Sequence, residues 1–418
     1  MRSGFRDTTA PLIGSGVNGV LAYAVFAVTT HALGSEAAAP VSVLWSYWSF
    51  AGAALTFPVQ HWATRTATAH GEGEVRRSLP RVSGVVLGLS LVTGVVAWAL
   101  RDPLFHHGGL WWPLLVALVT LGSALIGLVR GGLSARGRFI GLTFSLGLES
   151  LVRCVGVVVL AELGVHHAIW YGVCLVIGHL TAFVWPSALR FRASGSETSA
   201  GSALAFLSST ASGQLLSQVV LTGGPVALAL SGGRPGEVTA LFAALALFRA
   251  PYVLALGAVA PLTARMTALV VAGRDAALRR FRVVVVATTV VGAVGAAVVG
   301  AVAGPFLLRL VFGSDVVIAA GLAAVVATGS LIAVANLVVV ITAIAQNRPR
   351  ILVLAWLVGC VAAVVVFALL SGQELERVVW AFFAAEVVAF VALLSVRDGV
   401  RTRSGGGSGR VSVTEPRM

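Results

Sequence analysis

The stretch GLTFSLGLESLVRCVGVVVL, residues 141–160, is apolar almost throughout, yet carries Glu149 and Arg153 four positions apart. Twenty apolar residues rising about 1.5 Å each cross the roughly 30 Å hydrocarbon core of a bilayer as one helix. Both charges then fall near mid-membrane, where each costs about 2.5–3.5 kcal/mol on insertion scales, so each needs a partner or a wet cavity. The i, i+4 spacing puts them on one helix face with the acid nearer the N-terminus, the order that favours contact. They can neutralise each other as a packing device, or they can serve function.

Composition extends that reading to the whole chain. Of 418 residues, 58% are hydrophobic and 11% charged, with a mean hydropathy of +0.95; soluble domains carry about a quarter charged residues. Every basic residue is arginine, because the sequence contains no lysine. That excludes a Walker A loop, which ends in Gly-Lys-Ser/Thr, and with it an ATPase motor within this chain. No nucleophile elbow, HExxH or paired-carboxylate motif points to an enzyme, and nothing implies a cofactor. Cys154, Cys174 and Cys360 all lie in apolar runs and read as small buried hydrophobes. The first apolar run extends into a full span without a small-residue cleavage site, so it reads as a membrane helix and not a signal peptide.

Twelve apolar spans can be drawn, at 11–31, 39–60, 81–100, 110–130, 139–161, 168–189, 203–230, 237–264, 283–308, 316–345, 350–370 and 376–396. The expected fold is an all-α polytopic membrane protein with two six-helix bundles, 1–190 and 203–397, a Ser/Gly/Ala-rich linker at 191–202 and a disordered basic tail at 398–418. Arginines set the orientation. With a cytoplasmic N-terminus, 23 of the 29 lie in inside segments and only Arg101, Arg234, Arg309 and Arg377 lie outside, so both termini are expected in the cytoplasm. This asymmetry accounts for the net charge of +13 without nucleic-acid binding.

Two arginines remain, Arg153 and Arg249, both near span centres, as are Glu149 and Glu386. Arg249 has no acid within a turn, so it needs a cavity, an anionic ligand, or a bridge from another helix such as Glu149 or Glu386. Glu386 in WAFFAAEVVAF is equally alone on its span. Pro225 in the seventh span and Pro251 and Pro261 in the eighth permit bends. Gln214, Gln218, Asn18 and Asn336 offer amides that line a cavity or bond between helices, the latter being commoner. His179 reads as a packing residue. His106, His107, His166 and His167 lack a cysteine or carboxylate cluster, so no metal site is expected.

GLVRGGLSARGRFIGLTFSLGLESLVRCVG (127–156) and LFRAPYVLALGAVAPLTARMTALVVAGRDAALRR (247–280) carry a family resemblance. The first resembles the junction of the fourth and fifth helices in polysaccharide flippases of the multidrug/oligosaccharidyl-lipid/polysaccharide (MOP) superfamily, with its RG, short basic turn with an aromatic, and helix bearing Glu then Arg. The second resembles that family's eighth helix, with Arg-x-Pro and a downstream proline. The resemblance implies a MATE-like fold of two bundles in a V in a bacterial cytoplasmic membrane, rocking to expose a central cavity to each side in turn. It also implies a polyprenyl-diphosphate-linked oligosaccharide or polysaccharide precursor as cargo, membrane lipids as surroundings, a proton or sodium as coupling ion, and a glycan polymerase or glycosyltransferases as partners. Arg249 is then the first candidate for the diphosphate and Arg153 the second; Glu149, Glu386, Gln214, Gln218 and Asn18 complete the substrate-binding set.

Two departures from relatives bear on this. Cation-coupled multidrug exporters of the superfamily use acids commonly in the first or seventh helix, and PLIGSGVNGVLAYAVFAVTT and ALAFLSSTASGQLLSQVVLTGG have none. Such an antiporter stays as the alternative, and a non-transporting scaffold as a third. Lipid II flippases usually add two helices and several first-helix arginines that are absent here.

Overall fold

A computed structural model describes residues 3–106, 108–192, 203–256, 259–346 and 349–395. Within these, the side chains at 3–18, 204–206, 208–210, 260, 261, 264, 349 and 350 lie outside the description. Among the described residues the secondary structure is helical, without strands.

Helices α1 (Ser3–Ala37), α2 (Ala39–Ala51), α3 (Phe57–His70), α4 (Glu72–Ala99), α5 (Arg101–Phe105), α6 (Trp111–Ala135), α7 (Phe139–Glu162), α8 (Ala168–Ile177) and α9 (Pro186–Leu189) form the first part of the chain. The second comprises α10 (Ala203–Thr222), α11 (Gly224–Leu230), α12 (Pro235–Phe248), α13 (Ala250–Leu256), α14 (Val259–Val271), α15 (Asp275–Val302), α16 (Gly304–Phe312), α17 (Ala320–Ala345), α18 (Pro349–Leu369) and α19 (Glu374–Leu394). Seven described helices are long and apolar enough to cross a membrane, nine if each of two bent pairs is one span. The chain is a multi-pass membrane protein.

The twelve spans drawn from sequence are therefore not all straight helices. Those at 11–31, 39–60 and 168–189 fall on α1, on α2 to α3 through a π-helical turn (Gly52–Thr56), and on α8 to α9 through a 3-10 segment (Gly178–Val184). Each break has a local cause. At the π turn, the backbone of Thr56 rests on α6 at Gly127, where a Cβ would meet the Thr56 carbonyl oxygen at 2.5 Å, and Thr56 Oγ1 donates to Ser123 O at 3.0 Å. Pro58 follows and supplies no N–H to the ladder. The pair α10–α11 bends by 69° and α12–α13 by 47°, with Pro225 and Pro251 just past the bends. Pro261 lies outside the described side chains.

The helices before residue 190 pack mainly on one another, as do those after 203, and the two sets meet where α1 lies against α12, α13 and α16, α2 against α10, α11 and α12, α3 against α10, and α5 against α11. One part of that meeting lies at the end where α1 gives way to α2, the arginine-poor end of the sequence reading. There Phe26, Trp45, Phe242 and Phe312 interlock, with Phe26 at 4.4 Å from Phe242 and 5.6 Å from Phe312 between ring centroids. Trp45 stands 6.0 Å from Phe242. Four aromatics from α1, α2, α12 and α16, all buried, seal this end.

Candidate functional site

Two buried polar clusters stand out, one in each part of the chain. In the first, Glu149 on α7 is shared by two arginines. Arg153 Nη2 donates to Oε1 at 2.5 Å, as the i, i+4 spacing predicts. Arg130 Nη2, from α6, donates to Oε2 at 2.5 Å. All three residues are buried. Arg130 is one of the 23 arginines that the sequence reading assigned to inside segments, at the end of the fourth span; that reading did not anticipate that its side chain is buried. A signal was present in the two glycines that follow it. A Cβ on Gly131 would meet Gln60 O at 2.9 Å and one on Gly132 would meet Ala188 O at 2.3 Å. This end of α6 is thus wedged between α3 and α9, and Arg130 is carried inward with it.

The remaining donors of the first cluster are largely committed. Where α8 tightens into the 3-10 segment, the usual i→i−4 claim on the Leu175 carbonyl lapses, and Arg153 Nε donates to that oxygen at 2.9 Å. The Arg153 guanidinium lies over the Trp48 ring at 4.5 Å, a cation–π contact. Trp48 Nε1 donates to His179 Nε2 at 3.2 Å, so that nitrogen carries the lone pair and His179 is neutral. Arg130 Nε donates to Ser145 Oγ at 3.4 Å. The packing leaves no slack: a Cβ on Gly178 would come within 2.4 Å of Arg153 Nε, and one on Gly122 within 2.5 Å of the His179 ring. Gly178→Ala is accordingly expected to destabilise the protein by about 1–3 kcal/mol through overpacking, read as a lower unfolding temperature in detergent.

The second cluster is unsatisfied. Arg249 sits at the bend between α12 and α13, partly buried, and its Nε and Nη2 are inaccessible to solvent with no hydrogen-bond partner. Those two N–H groups form one edge of the guanidinium, the edge that takes an oxyanion side-on through two parallel bonds. Tyr23, Tyr252 and Glu386 lie within electrostatic reach of Arg249, yet no ion pair within 4 Å holds it among the described residues. Tyr23 reaches from α1 to donate to the carbonyl of Ala246, one turn before the bend.

Glu386 on α19 is fully buried, and Asn336 on α17 donates through Nδ2 to its Oε2 at 2.7 Å and to its backbone carbonyl at 3.0 Å. Glu386 Oε1 and Asn336 Oδ1 are left as buried acceptors without donors. The amide pairing read for Asn336 from sequence is thus an interhelical bond to Glu386. Gln214 is exposed, and Gln218 bonds within its own helix to Thr222 at 3.5 Å; neither reaches Arg249 in a hydrogen bond. Asn18 lies outside the described side chains. The sequence reading missed Arg130, Tyr23 and Tyr252. Among the described residues no group of three His, Cys, Asp or Glu side chains could hold a metal.

No protein-family model matches the sequence, and no curated protein does. Solved structures match in fold. A multidrug resistance MATE family transporter of the MOP superfamily, in an inward-facing conformation, aligns over 93% of this chain and 96% of its own with a TM-score of 0.66 at 13% identity. The lipid II flippase MurJ in an inward closed conformation aligns over 93% and 86% with a TM-score of 0.67, also at 13% identity. An outward-facing MATE family transporter of the same superfamily covers 93% of each chain at 14% identity with a TM-score of 0.50. The chain therefore has the all-helical membrane fold shared by MATE transporters and MurJ.

Proposed function

We propose that this protein flips a lipid-linked oligosaccharide or polysaccharide precursor across a bacterial cytoplasmic membrane by alternating access. The observation that carries the reading is Arg249, a partly buried arginine whose solvent-inaccessible side-on edge has no partner, placed at a bend in a bundle helix. Such an edge matches a phosphate of a polyprenyl diphosphate, which would bring two parallel charge-assisted bonds into a low-dielectric site. With the arginine-rich end cytoplasmic, the aromatic seal closes the outer side, so the cargo diphosphate enters from the cytoplasm while its prenyl tail stays in the bilayer. The higher similarity to inward conformations than to an outward-facing one supports this state. The arginines of the first cluster are occupied by Glu149, so that cluster serves as the staple that fixes α6, α7 and α8 together. Glycosyltransferases and a glycan polymerase would supply and consume the cargo.

A proton or sodium ion would couple at Glu386, whose Oε1 and the nearby Asn336 Oδ1 are both buried acceptors without a donor. The same pair favours a second reading, a cation-coupled multidrug antiporter. Reconstitution in vesicles separates the two. The flippase reading expects a fluorescent polyprenyl-diphosphate glycan to become accessible in the opposite leaflet, with no pH- or sodium-driven efflux of organic cations. Efflux without flipping would transfer the assignment to the antiporter.

A further inference from the structure

The aromatic seal is backed by a hydrogen-bonded clamp on the backbone of a single residue, Ser35. The chain turns sharply at Gly34, whose φ of 78° is open to glycine at little cost, just before Ser35. Asp315, in the segment that follows α16, accepts that N–H at 2.5 Å. Thr239, on α12 and fully buried, donates to the carbonyl of the same residue at 2.6 Å. Both polar groups of Ser35 are thus held by the second part of the chain, while Ser35 belongs to the first.

The short helices of the two parts are arranged reciprocally around this point. Helix α16 packs on α1 and α12, and its Phe312 is buried in the seal; α5 packs on α11 and α2 and buries Phe105 against Trp112 at 5.5 Å. Each part sends one short helix across to the other. The Asp315 clamp follows directly after α16, so it fixes the end of the wedge that fills the seal.

We infer that Asp315 and Thr239 form a latch on Ser35 that holds the arginine-poor gate shut and must be broken each time that gate opens. The latch goes beyond cargo identity but rests on the alternating-access reading. Partial burial raises the Asp315 carboxyl, but bonds from the Ser35 backbone and hydroxyl and from its own backbone, together with His31 nearby, outweigh that and hold it below the usual aspartate range. It therefore stays charged at neutral pH, and the latch acts as a fixed restraint on the gate.

The test reads the gate directly. Spin labels on cysteines at Glu36 and Arg234, both exposed, report the distance across the gate in full-length protein with Cys154, Cys174 and Cys360 replaced by alanine. Asp315→Ala combined with Thr239→Val is expected to raise the long-distance population about tenfold. An unchanged distribution would overturn the latch. In a second variant, Ser35→Cys with Asp315→Cys is joined by a short thiol crosslinker; flipping should stop and return when the link is cleaved, and flipping at the unlinked rate would equally overturn it. The distance measurement needs no cargo. If the unmodified protein fails to flip a lipid-linked glycan while the gate distances shift as expected, the cargo reading fails and the latch stands.

Discussion

Glu149→Ala is expected to cost about 3–5 kcal/mol of stability, because it strands two buried guanidiniums that share one carboxylate. Arg130 and Arg153 are 6% and 3% exposed, so neither can turn to water without dragging α6 or α7 with it. A loss of that size is a large fraction of a typical native margin of about 5–15 kcal/mol. The expected outcome is poor accumulation in the membrane and a sharply lowered unfolding temperature in detergent, before any transport is measured. Glu149→Gln should be milder, since the amide oxygen still accepts one of the two bonds. If Glu149→Ala accumulates and unfolds like the unmodified protein, the staple role assigned to the first cluster is wrong.

Arg249→Ala is expected to do the reverse. It removes a guanidinium whose Nε and Nη2 satisfy nothing, so the unfolding temperature should hold or rise, since an unpaired buried charge is itself a cost. Truncating one side of a desolvated charge pair typically costs about 2–5 kcal/mol of binding, which is roughly 30-fold to several thousandfold in cargo affinity. Flipping should fall accordingly. Arg249→Lys keeps the charge but loses the fork, and should restore only part of the rate. Wild-type flipping by Arg249→Ala would remove Arg249 from the site. The two substitutions thus separate a charge that builds the fold from one that serves the cargo, although both residues were picked out from sequence by the same feature, a full charge at mid-membrane.

The all-helical, multi-pass class was readable because it follows from quantities summed along the chain. Hydropathy and apolar run lengths near twenty need no knowledge of contacts. The bends at Pro225 and Pro251 were readable because proline acts on its own backbone. What escaped was set by pairs distant in sequence. The π turn at Gly52–Thr56 lies where Gly127 lets two backbones touch, and Arg130 is buried because Gly131 and Gly132 let α6 sink between α3 and α9. Glu386 read as alone on its span and Asn336 as an amide bonding to some other helix; that they bond each other, 50 positions apart, came only with the fold. The clamp on Ser35 combines Thr239 and Asp315 from separate segments, and neither residue has a local motif.

The central claim is that Arg249 holds a phosphate of the cargo, and direct binding tests it without assuming any transport cycle. A polyprenyl diphosphate titrated into nanodisc-embedded protein should bind saturably, weaken as salt rises and be displaced by inorganic pyrophosphate, whereas Arg249→Gln of equal thermal stability should show none of this. Equal binding by the unmodified protein and Arg249→Gln would contradict the account.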